Sequence, residues 1–169
     1  MHKCKLKLSF QRVFALLLIP SLLLLTACRR RSVSASEMMS AFLSEYGIEA
    51  VIYTPSIPEG EEGYFSPDMF YTMYSRDTSA VSDFALIMLS RSVSLGECAV
   101  FVCYNTYDAI VMSEACQRRL LLFSSASGIN VECYTEDAFV KRHGNIVVMC
   151  ALRDNTAAQR IWSGILDFY

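Results

Sequence analysis

Seven cysteines and two histidines are where nucleophilic or metal chemistry would begin in this 169-residue chain. Cys98, Cys103, Cys116, Cys133 and Cys150 lie in its second half, and His143 is the one histidine there. A cysteine nucleophile working with a histidine base needs an electropositive, partly exposed thiol. Cys98, Cys103, Cys116 and Cys150 fall instead in apolar stretches, where cysteine serves as a small core hydrophobe. His143 sits in the turn-like Lys141-Arg142-His143-Gly144-Asn145, with no carboxylate beside it to orient the ring. Five cysteines cannot all pair internally, and which of them form disulfides stays open at this level. No C-x-x-C occurs, and Cys98-x4-Cys103 spans an odd step within one expected strand. That step points the two side chains to opposite faces. No catalytic residue, metal site or cofactor is therefore expected.

Other chemistry is as thin. The chain has no G-x-S-x-G elbow, no H-E-x-x-H and no phosphate-binding glycine loop. Glu59, Glu61 and Glu62 lie among Pro55, Pro58, Gly60 and Gly63 without the alternating oxygen ligands of a calcium loop, so a solvated loop is expected. Glu136-Asp137 reads as a surface charge pair. Five rings crowd one short segment: Tyr64, Phe65, Phe70, Tyr71 and Tyr74. Such a cluster either enters the core or offers a face to a carbohydrate or protein partner. It is the candidate binding patch.

One further cysteine has a more specific setting. Lys3, Lys5, Lys7 and Arg12 precede an apolar run from Val13 to Ala27, which ends in Leu25-Thr26-Ala27-Cys28. That run is broken by Pro20 and falls short of the about 20 residues a spanning helix needs. Its length suits a secretory signal. The branched–small–small–cysteine ending resembles the lipobox of bacterial lipoprotein precursors. The resemblance implies cleavage between Ala27 and Cys28, a diacylglyceryl thioether on Cys28 carrying palmitate-like chains, and a place on the extracytoplasmic face of the cell membrane. A soluble secreted protein with an incidental cysteine is the alternative. Arg29-Arg30-Arg31 opposes translocation; beside a lipid anchor it is either a solvated juxtamembrane spacer or a second anchoring signal, each arginine adding roughly 1 kcal/mol of attraction to anionic headgroups.

Composition narrows the partners. Residues 1–27 hold four Lys/Arg and no Asp/Glu, leaving 11 basic against 17 acidic side chains, a net of −6. An acidic domain without a basic stripe repels phosphates, so nucleic acid is set aside. Three segments are expected: a signal at 1–27, a lipidated tether at 28–35 and one globular domain at 36–169.

Within that domain, Ser36 is placed to cap a helix over Glu37–Tyr46, with Gly47 as its stop. Ile48–Tyr53 has strand composition. Ser66-Pro67-Asp68 opens a short helix to Tyr74. Strands are expected over Phe84–Leu89 and Cys98–Tyr104, with a turn over Ser90–Glu97. Asn105-Thr106 then opens a helix to Ser124, whose Ala109, Met112, Cys116, Leu120 and Phe123 form a buried stripe. Gly128–Cys133 is ambiguous. Strands at Ala138–Lys141 and Ile146–Leu152 follow, and a helix capped by Asp154 or Asn155 runs to Phe168. Strand-strand-helix thus occurs twice. The expected fold is α+β: a four-stranded antiparallel sheet with helices packed on one face, preceded by a small helical N-terminal part.

The segments Glu97-Cys-Ala-Val-Phe-Val-Cys103 and Lys141-Arg-His-Gly-Asn-Ile-Val-Val-Met149, together with the Cys28 signal, resemble an uncharacterised family of small lipoproteins of clostridial-type bacteria. That family carries no established activity, so the resemblance implies a role for Cys28 alone. Two functional classes follow. One is a membrane-anchored, non-catalytic binding or assembly module at the cell envelope. The other is a small cysteine-dependent hydrolase or thiol-redox protein.

Overall fold

The long strand pair at the centre of the chain is built from runs with almost no apolar–polar alternation. Continuous apolar strands are a mark of sheets covered on both faces, and the computed structural model has that arrangement. It describes residues 34–91, 94–126, 132–133 and 136–169, with side chains over 34–89, 96–123 and 136–169. The signal at 1–27, Ala27 and Cys28 themselves, the arginine triplet and the side chain of Cys133 lie outside the described residues.

In chain order the elements are α1 (Ala35–Tyr46), α2 (Pro67–Tyr74), a 3-10 turn (Thr78–Ala80), β1 (Val81–Arg91), β2 (Ser94–Cys103), α3 (Thr106–Ala126), β3 (Glu132–Cys133), β4 (Phe139–His143), β5 (Ile146–Ala151) and α4 (Asn155–Asp167). The main sheet has the order β1-β2-β5-β4, every neighbouring pair antiparallel, and β3 adds two parallel residues against the start of β2. The fold is α+β. Two hairpins, β1-β2 and β4-β5, meet along the β2–β5 seam.

Helices cover both faces, which corrects the one-face expectation. Ala85, Ile87, Cys98, Val100, Val148 and Cys150 pack with α1 and α4 through Phe42, Ala158 and Trp162. Phe84, Leu86, Ala99, Phe101, Val147 and Met149 pack with α2 and α3 through Phe70, Tyr74, Met112 and Cys116. All six residues of β5 are buried. Cys98 and Cys103 fall on opposite faces, as their odd spacing requires.

Helix ends follow local chemistry. Ser66 caps α2 by accepting from Met69 N, with Pro67 at the first helical position. Asp154 caps α4 by accepting from Ala157 N. The α1 cap is Ser34, not Ser36: its hydroxyl accepts from Glu37 N at 3.3 Å, and the next residue, Ala35, is already helical and fully buried. Ala35 N donates to Asp83 Oδ2 at 2.9 Å, and this anchor to β1 draws the helix start forward. The two Asn-Thr pairs play different parts. Asn105 precedes α3 and accepts from Asp108 N, whereas Asn155 is the first residue of α4 and accepts from Leu152 N.

Two other expectations are corrected. Ile48–Tyr53 is not a strand: only Tyr53 bridges β1, exchanging backbone hydrogen bonds with Leu86 at 2.8 and 2.9 Å. Thr54 then turns to pair with Tyr64, because Gly63, at φ +90°, brings its backbone against Ile52 where a Cβ would lie 2.7 Å from the Ile52 carbonyl. The turn placed at Ser90–Glu97 is mostly strand. β1 and β2 stay in register out to Arg91 and Ser94, since backbone pairing does not require apolar side chains. At the other hairpin, Gly144 alone takes a positive φ, of 57°, between the paired His143 and Ile146. That fits a two-residue turn with glycine in its first central place.

Candidate functional site

The charged side chain that stands out in the core, Glu97, comes from the strand end that had looked like a turn. Glu97 on β2 faces α2 and α3 and is 2% exposed. Its Oε1 accepts from the Tyr74 hydroxyl at 2.6 Å. Its Oε2 accepts from Arg119 Nε at 3.1 Å and Nη2 at 2.9 Å. The Arg119 guanidinium also lies over the Phe123 ring, 4.6 Å from its centre. Burial pushes the Glu97 carboxyl up, opposed by Arg119 and by the Tyr74 hydrogen bond. Burial, and next the nearby Glu97 charge, push the Tyr74 hydroxyl well above its usual range. This triad pins the C-terminal end of α2 and the middle of α3 to β2. A small cleft of about 320 Å³ opens over it, lined among others by Met73, Ser75, Arg118 and Leu122.

The larger concavity lies on the opposite face. A groove of about 1290 Å³ runs between the end of α1 and the start of α4. Ile48, Leu89, Leu152 and Ile161 supply apolar lining, and Glu45, Glu49, Asp154, Arg153 and Arg160 bring both signs of charge. Tyr46 crosses it: its hydroxyl accepts from Asp154 N at 3.0 Å and donates to Asp154 O at 3.4 Å. Burial raises the Tyr46 hydroxyl's pKa, with the Asp154 hydrogen bond pulling the other way. The ring stacks on Phe42, 5.2 Å away, which stacks in turn on Trp162 at 4.9 Å. The groove wall is therefore continuous with the core. Among its described lining residues there is no cysteine, histidine or serine.

The aromatic patch divides. Phe65, Phe70 and Tyr74 are buried and pack edge-on or tilted around Phe84 and Phe101, so those three rings build the core. Tyr71 is 62% exposed, and Tyr64 is half-buried. The five residues do not form one accessible surface.

The described thiols are all buried. Burial pushes Cys103 up to about 12, and Cys116 and Cys150 well above the usual thiol value. His143 is exposed at the end of β4. Glu59, Glu61 and Glu62 are exposed, as are Glu136 and Asp137. Among the described residues no group of three His, Cys, Asp or Glu side chains is placed to hold a metal ion. Among them too, no helix is long and apolar enough to cross a membrane.

Sequence reasoning missed Glu97, Arg119 and the groove. The signal for the first two was present: a lone acid between Gly96 and an apolar strand, and an arginine three residues beyond the buried Cys116. The groove had no such signal, because its residues come from three separate stretches of the chain, 45–49, 89 and 152–161. No protein-family model matches the chain, and neither does any curated protein or solved structure.

Proposed function

We propose that this protein is a membrane-anchored extracytoplasmic lipoprotein whose α+β domain is a non-catalytic binding or assembly module of the cell envelope. The Leu25-Thr26-Ala27-Cys28 ending supports the anchor. The α1–α4 groove supports binding and is the observation that carries the reading: an open concavity, apolar lining, charges of both signs and no cysteine, histidine or serine among its described lining residues. Such a surface suits an extended segment of an envelope protein, whose side chains meet the apolar wall while its charges meet Glu49 and Arg160. Thiol catalysis is the weaker reading, because a nucleophilic cysteine needs a lowered pKa and access, and burial drives Cys103, Cys116 and Cys150 the other way.

The test places a photo-crosslinking residue at Glu49, at Arg160 and, as a control on the opposite face, at Gln117 in the lipidated protein on its own membrane. The same envelope component should be captured from Glu49 and Arg160 and not from Gln117. Capture from Gln117 alone, or equal capture from all three, would remove the groove from the reading.

A further inference from the structure

Cys98 and Cys150 stand directly opposite each other on β2 and β5. Both belong to the face covered by α1 and α4, and both are fully buried thiols. Trp162 Nε1 donates to Cys98 Sγ at 3.3 Å, and Cys98 is near enough to Cys150 to help raise its thiol pKa, behind burial. Directly opposed residues of antiparallel strands hold their Cβ atoms roughly 4.5–5.5 Å apart. A disulfide needs Cβ atoms roughly 3.5–4.5 Å apart, so a small pinch of the two strands brings the sulfurs into bonding range. Cys103 and Cys116 occupy no such paired position: Cys103 stands opposite Val81, and Cys116 is on α3.

We propose that Cys98 and Cys150 are a modification site, joined by a cross-strand disulfide through exchange with a low-molecular-weight disulfide while the chain folds. In the first step one cysteine thiolate attacks the external disulfide, forming a mixed disulfide and releasing one external thiol. The second cysteine thiolate then displaces the other external thiol and closes the Cys98–Cys150 bond. The two cysteines together lose two protons and two electrons, and the external disulfide is reduced to two thiols. The order of events follows from burial. In the folded domain Trp162 and the α1–α4 layer seal both sulfurs, so the exchange belongs to the chain before that layer closes. The bond would cross the β2–β5 seam, the line along which the two hairpins join, and hold them together covalently.

The experiment uses the full chain in detergent, unfolded in guanidinium with reductant and refolded in a mixture of reduced and oxidised glutathione. Remaining thiols are blocked with a maleimide in denaturant, and the digest is mapped by mass spectrometry. A linked Cys98–Cys150 peptide should be the main cross-linked species, with Cys103 and Cys116 recovered as maleimide adducts. Reduction should then lower the guanidinium midpoint of the wild type and leave that of Cys98→Ala unmoved. Recovery of Cys98 and Cys150 both as maleimide adducts, or a different linkage as the main one, overturns the proposal. The same mapping on protein acid-trapped from an exporting host needs no refolding, and is read by the same outcomes.

Discussion

Arg119 grips one carboxylate oxygen of Glu97 with two nitrogens, Nε at 3.1 Å and Nη2 at 2.9 Å, across the boundary between α3 and the sheet. Glu97 is almost wholly enclosed and Arg119 is about a fifth exposed, so the two partners should respond differently to removal. Arg119→Met leaves a buried carboxylate without its cation and should cost about 3–5 kcal/mol. Glu97→Gln should cost less, because a glutamine can still accept from Tyr74 and Arg119 can turn toward water. The double variant should recover much of the Arg119→Met loss. Denaturant midpoints of all four proteins give the coupling; simple additivity would show that the pair does not act as a unit.

Stability should fall in alkali above about pH 9. An unfolded thiol loses its proton near 9.0, whereas Cys103 keeps its own to about 12. Cys116 is raised as well, chiefly by burial. Between those values the folded state binds more protons than the unfolded one, and stability drops as pH rises. The contribution is complete below about pH 9 and is lost on the way to pH 12. Guanidinium midpoints between pH 7.5 and 10.5 should decline, and a Cys103→Ala/Cys116→Ala variant should decline less. Parallel curves for the two proteins would place the cause elsewhere.

Cys116 should behave as packing. It is fully buried beside Met112 in the layer that α3 lays over the sheet, and the Glu97 charge helps to raise its pKa. Cys116→Asp would bury a second carboxylate near the first and should cost about 3 kcal/mol or more. Cys116→Ala should cost about 1 kcal/mol through a small cavity. In the folded protein Cys116 should resist a bulky maleimide at neutral pH. Reaction at the rate of a free peptide thiol would contradict its placement.

The helices were legible because each carries its own signal. Ala109, Met112 and Cys116 recur at helical spacing, Ser66-Pro67 marks a start, and Gly47 marks a stop at φ +77°. Layering was less legible, although the runs Ala99–Cys103 and Ile146–Ala151 held the clue: neither alternates, so neither could have a solvent face. Glu97 was misplaced because a charged residue at the head of an apolar run looks like a boundary. Only the fold brings Arg119 and Tyr74 to it from 22 and 23 residues away. The groove was beyond reach for the same reason, since Glu49, Leu89 and Arg160 are local to nothing but one another in space.

Anchoring should rest on the sulfur of Cys28. No other part of the sequence offers an acylation signal, and the run from Val13 to Ala27 is short for a span. Cys28→Ala should therefore accumulate unprocessed or leave the membrane, while the wild type partitions into the detergent phase of a temperature-induced separation. A processed Cys28→Ala protein that still partitions with detergent would sink the lipoprotein proposal.

His143 should prove dispensable. It is exposed at the last position of β4, paired across the hairpin with Ile146 and followed by Gly144, whose positive φ makes the turn. Neither concavity includes it among its lining residues. His143→Gln should change stability by less than about 0.5 kcal/mol, the usual range for a surface position away from special features. Gly144→Val, one residue on, should cost about 1 kcal/mol or more, because a β-branched residue resists that backbone angle. The functional contrast is with the groove: charge reversal at Arg160 should impair complementation of a deletion strain where His143→Gln does not. Loss of complementation by His143→Gln at normal protein levels, with Arg160→Glu still active, would shift the balance to a histidine-dependent enzyme.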